Sequence, residues 1–254
     1  IINGIIFLPN MDEPFEGNNL CKYINNQTKS KGNIKDGKFD GIWTFWYDNG
    51  YKGLELNYKD GKLDGKSTFW YGYQMNNVSS TLYNQIKLDG QIWSEEHYKD
   101  NKKDGKWTTW YESGQIRSEG YFLKNNKDGK WTTWWSESGK IKSEKNFTNN
   151  KIDGRWTTWY ENGQIRSEEL YNAGMKNGKW ITWWSENGQI RSEEHYKDDM
   201  KNGKWITWYE DGQIWLEEHY KDNKKDGKWT TWYESGQIRS EESYKNGKCV
   251  SGDC

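Results

Sequence analysis

Near-identical segments of 24 or 25 residues recur along this chain and constrain its fold more than any other feature. The stretch DGKWTTWYESGQIRSEGYFLKNNK, residues 104–127, returns in close variants that open at Asp128, Asp153, Asn177, Asn202 and Asp226. Self-similarity at a fixed period of this size is typical of repeat architectures, in which each unit is stabilised by its neighbours. The sequence therefore predicts a repeat protein.

Each repeat has the pattern of a β-hairpin. Residues 107–111, WTTWY, are aromatic or β-branched, as suits a pleated surface. A glycine turn follows, SG at 113–114 and NG at 162–163, and residues 115–122 read as the return strand. Asn-Gly between two β-prone runs favours a two-residue type I′ turn. The expected fold is all-β: an elongated, single-layer antiparallel β-meander of tandem hairpins.

A two-residue turn also fixes the expected register. It places Thr109 opposite Ser118 and Trp110 opposite Arg117, where a cross-strand cation–π contact is expected. Because side chains alternate between faces, Trp107 and Trp110 point to opposite sides of the sheet. Both faces are therefore expected to carry aromatic ladders.

Composition argues against a single compact core and against two classes of partner. The chain has 19 Trp and 17 Tyr but only 32% hydrophobic residues, so neighbour-to-neighbour stacking must supply its stability. Lys and Arg total 37 against 38 Asp and Glu, interleaved along the strands, which disfavours nucleic acid. No run approaches the roughly 20 apolar residues of a transmembrane helix.

Three segments frame or interrupt the repeats, which we place at residues 18–248. Residues 1–17 are expected either to cap the first repeat or to donate a strand to another subunit. An irregular insertion at about residues 72–88 reads as a long loop around 73–80, a misfitting hairpin over 81–93, or one drifted repeat. Residues 249–254 are expected to form a cap closed by a disulfide.

The cysteines bear on compartment. Cys249 and Cys254 flank a turn-like VSGD and are expected to form that disulfide, which leaves Cys21 unpaired. A disulfide implies an oxidising compartment, so we expect an extracellular, cell-surface or periplasmic protein, and a removed signal peptide would fit that location. Three sequons are candidate glycosylation sites in a secretory route: Asn26, Asn77 and Asn146.

No constellation of catalytic or metal-ligating residues is found, so we expect a non-enzymatic protein without a cofactor or a metal. His97, His195 and His219 recur with the word EEHY and are interpreted as ladder residues. Adjacent glutamates such as Glu168 and Glu169 point to opposite faces and are interpreted as ion-pair partners.

The tryptophans are the candidate binding or assembly surface, because exposed indole faces suit sugar rings or another protein. The alternative is that they only hold the sheet together. Trp93 and Trp215 stand where other repeats have a basic residue and are candidates for partner contact. The remaining candidates are Trp107, Trp110, Trp131, Trp134, Trp156, Trp159, Trp180, Trp183, Trp205, Trp208, Trp229 and Trp232.

The words WTTWYENGQIRSEE, residues 156–169, and YKNGK, residues 244–248, resemble the MORN-repeat superfamily, and most closely its bacterial YwqK-like, antitoxin-labelled variant. The resemblance covers about residues 40–248 and implies hairpin repeats in an extended meander. Eukaryotic MORN proteins are associated with scaffolding near membranes and with lipid or protein binding. WTTWY replaces their usual glycine- and tyrosine-rich strand, which argues against lipid binding here.

Three functions follow as hypotheses. The first is a structural or interaction scaffold that is exported and self-assembles into a fibre through sheet edges or aromatic faces. The second, implied by the family resemblance, is an antitoxin-like module that binds one protein partner in the cytoplasm. The third is a surface protein that binds carbohydrate through its tryptophan ladders.

Overall fold

The structure is a computed structural model that describes Ile5, Ile6, Pro9, residues 11–72 and residues 90–252. These residues form strands, turns and loops and divide into two units, residues 1–127 and 128–254. Because they form no helix, none of them belongs to an apolar helix of membrane-spanning length.

The strands of the first unit are β1 (Gly17–Lys22), β2 (Thr28–Lys35), β3 (Lys38–Trp46), β4 (Lys52–Lys59), β5 (Lys62–Leu63), β6 (Gly65–Trp70), β7 (Ile92–Lys99), β8 (Lys102–Trp110) and β9 (Ile116–Leu123). The strands of the second unit, the first of which begins two residues before the boundary, are β10 (Asn126–Trp134), β11 (Ile141–Thr148), β12 (Lys151–Trp159), β13 (Ile165–Asn172), β14 (Met175–Lys176), β15 (Gly178–Trp183), β16 (Ile190–Lys197), β17 (Met200–Lys201), β18 (Gly203–Trp208), β19 (Ile214–Lys221), β20 (Lys224–Lys225), β21 (Gly227–Trp232), β22 (Ile238–Lys245) and β23 (Lys248–Gly252).

Within each unit, strands that follow one another in sequence pair antiparallel. The two-residue strands β5, β14, β17 and β20 lead directly into the strands that follow them, after a single intervening residue. Each repeat therefore contributes one hairpin to a meander. The predicted all-β fold of tandem antiparallel hairpins is confirmed.

The turn inside each hairpin differs from the predicted type I′ turn. The Tyr160 N–H donates to the Gln164 carbonyl (2.9 Å), and the Gly163 N–H donates to the Tyr160 carbonyl (3.0 Å). Gly163 has a φ of 97°, but Asn162 does not have a positive φ. Its Oδ1 instead accepts the Gln164 N–H at 2.9 Å. The loop after Tyr160 thus has three residues and ends in a left-handed glycine, because the Asn side chain closes its own local turn.

The turn between repeats has the geometry that was expected inside them. Asp198 and Asp199 have φ values of 50° and 65°, and they connect the paired residues Lys197 and Met200. Two consecutive residues with positive φ between a closed pair of strand ends are the hallmark of a two-residue type I′ hairpin. Asp tolerates this conformation better than most residues, so the junction does not need a glycine.

A β-bulge next to each hairpin loop corrects the expected register. Thr109 pairs with Ser118 as predicted, but Trp110 pairs with Ile116, so Arg117 is the extra residue. The predicted contact between Trp110 and Arg117 is therefore wrong. Arg117 lies over the Tyr111 ring instead, 5.8 Å from its centroid.

The segments outside the regular repeats are described only in part. In the segment of residues 1–17, the Ile6 N–H donates to the Gly37 carbonyl at 2.8 Å. Whether this segment is a cap or a donated strand stays a prediction. At the insertion, β6 and β7 pair with each other, Trp70 opposite Ile92. Residues 73–89 lie outside the described residues, and so does Cys254, so the interpretations of the insertion and of the terminal disulfide stay predictions.

Candidate interaction surfaces

One face of the second unit carries a continuous column of aromatic rings, here called the ring ladder. Neighbouring ring centroids are 5.1 to 6.0 Å apart and the ring planes are inclined by 35° to 64°. Such separations and tilts are the favourable arrangements for aromatic pairs. Its members, in order, are Trp156, Tyr171, Trp180, Tyr196, Trp205, Tyr220, Trp229 and Tyr244.

Lysine side chains lie over the rings of the ladder. The Lys201 Nζ is 4.0 Å from the Trp205 centroid and 4.7 Å from that of Tyr220. Lys176 and Lys225 repeat this contact in the adjoining repeats. A cation over an aromatic face stabilises by about 0.5–1 kcal/mol at an exposed site. The same contact covers the ring faces on which a sugar would have to stack.

Each ladder tyrosine is held by a carboxylate two residues earlier in its strand. The Tyr196 hydroxyl donates to Glu194 at 2.9 Å. Burial, followed by the charge of Glu218, raises the pKa of Tyr220 to about 12. Burial also raises the pKa of Glu218, although Lys201 and Lys225 partly offset this. The carboxylates thus favour the neutral form of the tyrosines.

This coupling predicts alkaline destabilisation. A tyrosine in the unfolded chain loses its proton near pH 10, whereas Tyr220 in the folded protein keeps it to about pH 12. The folded state therefore binds more protons in that window, and the free energy of unfolding falls as the pH rises through it. Urea unfolding followed at stepped pH values checks this. The Tyr220→Phe variant should show a shallower decline, and an equal decline in the variant would contradict the assignment.

A second row of side chains on the same face lies nearer the hairpin loops and is here called the arginine row: Arg166, Arg191 and Arg239. They lie over Tyr160, Trp184 and Tyr233, with guanidinium carbons 4.7 to 5.9 Å from the ring centroids. Among the described residues, none of these three arginines forms an ion pair within 4 Å.

A groove separates the first two members of this row. Its volume is about 360 Å³, and Arg166 and Arg191 both line it together with Trp156, Tyr160 and Glu169. Thr158, Ser167 and Thr182 also line it. The hydroxyl of Thr158 lies 2.7 Å from that of Ser167, and the hydroxyl of Thr182 lies 2.7 Å from that of Ser192. The groove therefore combines cationic, aromatic and hydroxyl surface.

The opposite face, here called the ion-pair face, differs in its charge balance. Its basic side chains contact glutamates on the neighbouring strand at distances of 2.5 to 3.3 Å. In the second unit the pairs are Lys130–Glu144, Arg155–Glu168, Lys179–Glu193, Lys204–Glu217 and Lys228–Glu241. Charge on this face is therefore neutralised within the chain. Glu168 forms the predicted ion pair, whereas Glu169 on the other face accepts a hydrogen bond from the Tyr171 hydroxyl instead.

Two of the three histidines lie beside glutamates of the ion-pair face, whereas the Nδ1 of His97 lies 2.9 Å from the Lys106 carbonyl oxygen. The His195 Nε2 lies 3.2 Å from Glu193, and His219 has the same relation to Glu217. Burial alone would raise the pKa of Glu193, but hydrogen bonds from Lys179 and His195 lower it. The described residues contain no cluster of three or more potential metal ligands.

The candidate tryptophans fall into three environments. The first Trp of each repeat, such as Trp205, belongs to the ring ladder or its counterparts. The second, such as Trp208, pairs across the strands with an isoleucine, here Ile214. Trp93 and Trp215 are more exposed, at 40% and 42%. The sequence thus predicted the opposite faces of the two series and singled out Trp93 and Trp215, but it did not predict that lysines lie over the ladder rings.

Other candidate sites remain separate from these surfaces. Cys21 is exposed and its thiol is free. Asn26 and Asn146 are exposed, whereas Asn77 lies outside the described residues. Glycosylation therefore stays a prediction.

The sequence did not predict that some indole N–H groups are buried without a hydrogen-bond partner. In one repeat the residue after the second tryptophan is Tyr160, and its hydroxyl donates to the Trp183 carbonyl of the next repeat at 2.8 Å. The corresponding residue of the next repeat is Trp184, whose Nε1 is buried without a hydrogen-bond partner, as is that of Trp135. The available signal was the extra residue in these two loops, SESG and SENG, which also explains the change of period from 24 to 25 residues.

The orphaned group predicts that Trp184→Tyr stabilises the protein. We expect a tyrosine hydroxyl at this position to donate to the carbonyl of Trp208, as the Tyr160 hydroxyl donates to that of Trp183. The gain should be about 0.5–1 kcal/mol in the free energy of unfolding, the net value of one hydrogen bond. Urea unfolding of the variant measures it. Trp184→Phe, which lacks the hydroxyl, is the matched control, and equal stability of the two variants would contradict the explanation.

Together, the tandem hairpins and their ring ladder define a repeat protein of hairpin units. The profile of the family described as "MORN repeat variant" matches six segments that together cover just over half of the chain: residues 103–124, 127–149, 152–173, 181–198, 201–222 and 225–246. The chain belongs to this family. The narrower YwqK-like variant stays a prediction.

Two further comparisons add no functional information. No curated protein matches the chain. Among solved structures, a chain of the "Crystal Structure of TcdB2-TccC3-Cdc42" matches 92% of this chain at 10% identity, with a TM-score of 0.23. This chain spans only 13% of that one. At such a low TM-score the match carries no argument about fold or partner.

Proposed function

We propose that this protein is a non-enzymatic scaffold that binds a protein partner, and that the arginine row and the adjoining ring ladder are its docking surface. A repeat-based interaction scaffold is what the MORN repeats suggest. The observation that selects this face is the charge difference between the two sides of the sheet. Basic groups on the ion-pair face already contact carboxylates, whereas Arg166, Arg191 and Arg239 lie over rings and form no ion pair within 4 Å among the described residues.

Protein is the partner class that this surface suits best. Arg, Trp and Tyr are the residues enriched at the energetic centres of protein interfaces, and all three occur together here. Arginines without a carboxylate offer planar, bidentate donors to acidic side chains of a partner. The lysines over the ladder rings make carbohydrate stacking the weaker proposal. Fibre formation, antitoxin activity and export stay predictions.

Matched charge variants test the proposal. One variant carries Arg166→Gln, Arg191→Gln and Arg239→Gln, and the control carries Lys179→Gln, Lys204→Gln and Lys228→Gln. Each variant removes three positive charges. The arginine variant removes them from the docking surface, and the control removes them from the ion-pair face. A partner captured by the wild-type chain is purified and its affinity for each variant is measured by calorimetry. We expect binding to be lost with the arginine variant and kept with the control.

Two results would contradict the proposal. The first is equal loss of affinity in both variants, because it would show that only net charge matters. The second is a wild-type chain that retains no purified partner in calorimetry. Light scattering of the same samples tests self-association, and a polydisperse wild-type chain whose assembly survives the arginine substitutions would favour the fibre hypothesis instead.

A further inference from the structure

We infer that the docking surface contains a hot spot at Trp215 and Leu216, flanked by Arg191 and Arg239, that binds an extended acidic segment of a partner protein. The segment presents an apolar side chain between two carboxylates. This inference rests on the proposed function and names the kind of partner that its docking surface takes.

A double departure from the repeat pattern marks this position. Three repeats of the second unit carry Arg-Ser on the return strand, at residues 166–167, 191–192 and 239–240, whereas residues 215–216 are Trp-Leu. The serines hydrogen-bond to cross-strand threonines at 2.7 Å. Leu216 pairs with Thr207 in the same register but has no polar group to offer. One repeat has therefore exchanged a cation and a hydroxyl for two apolar side chains.

Both apolar side chains lie on the docking surface. The equivalent pair in an earlier repeat, Arg166 and Ser167, lines the groove on this face. Trp215 approaches the Tyr209 ring at 6.3 Å between centroids, as Arg166 approaches Tyr160. The exchange thus creates one apolar patch inside an otherwise cationic row.

Fold stability does not account for the exchange. Trp215 remains 42% exposed and lies beside the Tyr209 ring, so its burial contributes less than that of the ladder tryptophans. The arginines of the other repeats fill this place with a solvated charge. An exposed Trp between two arginines has the composition of an interface hot spot, where a few such residues supply most of the binding energy.

The spacing of the row indicates the conformation of the segment. Arg191, Trp215 and Arg239 lie on β16, β19 and β22, and one strand separates each from the next. Two strand spacings amount to about 9.5 Å. A polyproline II segment advances about 9.3 Å in three residues and returns its side chain to the same side. Residues i, i+3 and i+6 of such a segment therefore match the three positions.

Charge determines the chemistry of the outer positions. Neither Arg191 nor Arg239 has an ion pair among the described residues, and their guanidinium carbons lie over the rings of Trp184 and Tyr233, 4.7 and 5.7 Å from the ring centroids. A carboxylate at positions i and i+6 gains charge-assisted hydrogen bonds from these groups. An apolar side chain at i+3 packs on Trp215 and Leu216. The expected motif is acidic-x-x-apolar-x-x-acidic.

A short peptide tests the motif on the full chain. The probe is dye-labelled Glu-Pro-Pro-Leu-Pro-Pro-Glu, measured by fluorescence anisotropy, with a Gln-for-Glu peptide as its control. Trp215→Arg with Leu216→Ser restores the pattern of the other repeats, which fold with that pair. We expect it to weaken binding about thirtyfold, as loss of a hot spot does. Arg191→Gln with Arg239→Gln should weaken binding about tenfold, whereas Lys204→Gln should leave it unchanged.

Several outcomes would overturn the inference. One is that the Trp215→Arg, Leu216→Ser variant binds the peptide with wild-type affinity. Another is that the wild-type chain does not bind the peptide at concentrations up to about 1 mM. The third is that the wild-type chain binds a helical peptide, whose Glu, Leu and Glu are seven residues apart, more tightly. The captured partner separates the two proposals. If it binds that variant normally but not the triple arginine variant, the hot spot is wrong and the docking surface stands. If the triple arginine variant also binds, the proposed function itself is wrong.

Discussion

Replacing Trp205 by alanine is expected to lower the free energy of unfolding by about 3 kcal/mol, the lower end for removing a packed tryptophan. Trp205 packs against Tyr196 and Tyr220 at 5.2 and 5.3 Å between ring centroids. Its indole N–H donates to the His195 carbonyl at 3.0 Å, and the Lys201 ammonium lies over its ring. The substitution removes all four contacts and interrupts the ring ladder.

Trp215→Ala is the matched control for this experiment. It removes the same side chain from the next strand, but Trp215 is exposed and has one ring contact. The expected loss is below about 1 kcal/mol. Urea unfolding monitored by far-ultraviolet circular dichroism measures both variants. Equal losses would show that the ladder does not carry the stability of the repeats.

Gly32→Ala is expected to lower the free energy of unfolding by about 2–3 kcal/mol, as overpacking does. A Cβ atom at Gly32 would collide with the indole ring of Trp43. That ring is 3% exposed, donates its N–H to the Asn33 carbonyl at 2.8 Å and packs on Phe39 at 4.1 Å. Because these contacts hold the indole in place, it cannot move aside cheaply.

The adjacent exposed residue provides the control. Lys31→Ala lies on the same strand beside Gly32, and its effect should stay within about 0.5 kcal/mol. Unfolding midpoints of the two variants are compared with that of the wild-type chain. A Gly32→Ala variant as stable as Lys31→Ala would mean that the indole does not lie on the backbone at this point. Several later repeats have a glutamate at this position, for example Glu96 opposite Trp107, and that tryptophan is less deeply buried.

The repeats and their alternation could be predicted from the sequence because they depend on periodicity alone. The 24- or 25-residue period, the two strands per unit and the opposite faces of Trp107 and Trp110 follow from spacing and the pleat. These features do not require knowledge of any single hydrogen bond. The family membership follows from the same repeated words.

The loop geometry could not be predicted because it depends on local competition. Asn162-Gly163 has the composition of a type I′ turn, yet the Asn162 side chain bonds to the Gln164 N–H and keeps its own φ negative. The resulting bulge moves Ile165 to the side of Trp159 and leaves Arg166 as the extra residue on the docking surface. A register shift of one residue therefore determines that the arginines without an ion pair lie on the face of the docking surface.

The ring contacts across one Tyr–Trp–Tyr step of the ladder test the account most directly. In the full chain with selectively labelled aromatic residues, nuclear Overhauser effects should connect the Trp205 indole to the rings of Tyr196 and Tyr220, whose centroids lie 5.2 and 5.3 Å away. The ladder geometry predicts these contacts and none between Trp205 and Trp208, which lie on opposite faces. Contacts between the Trp205 and Trp208 indoles, with none to the two tyrosines, would contradict it.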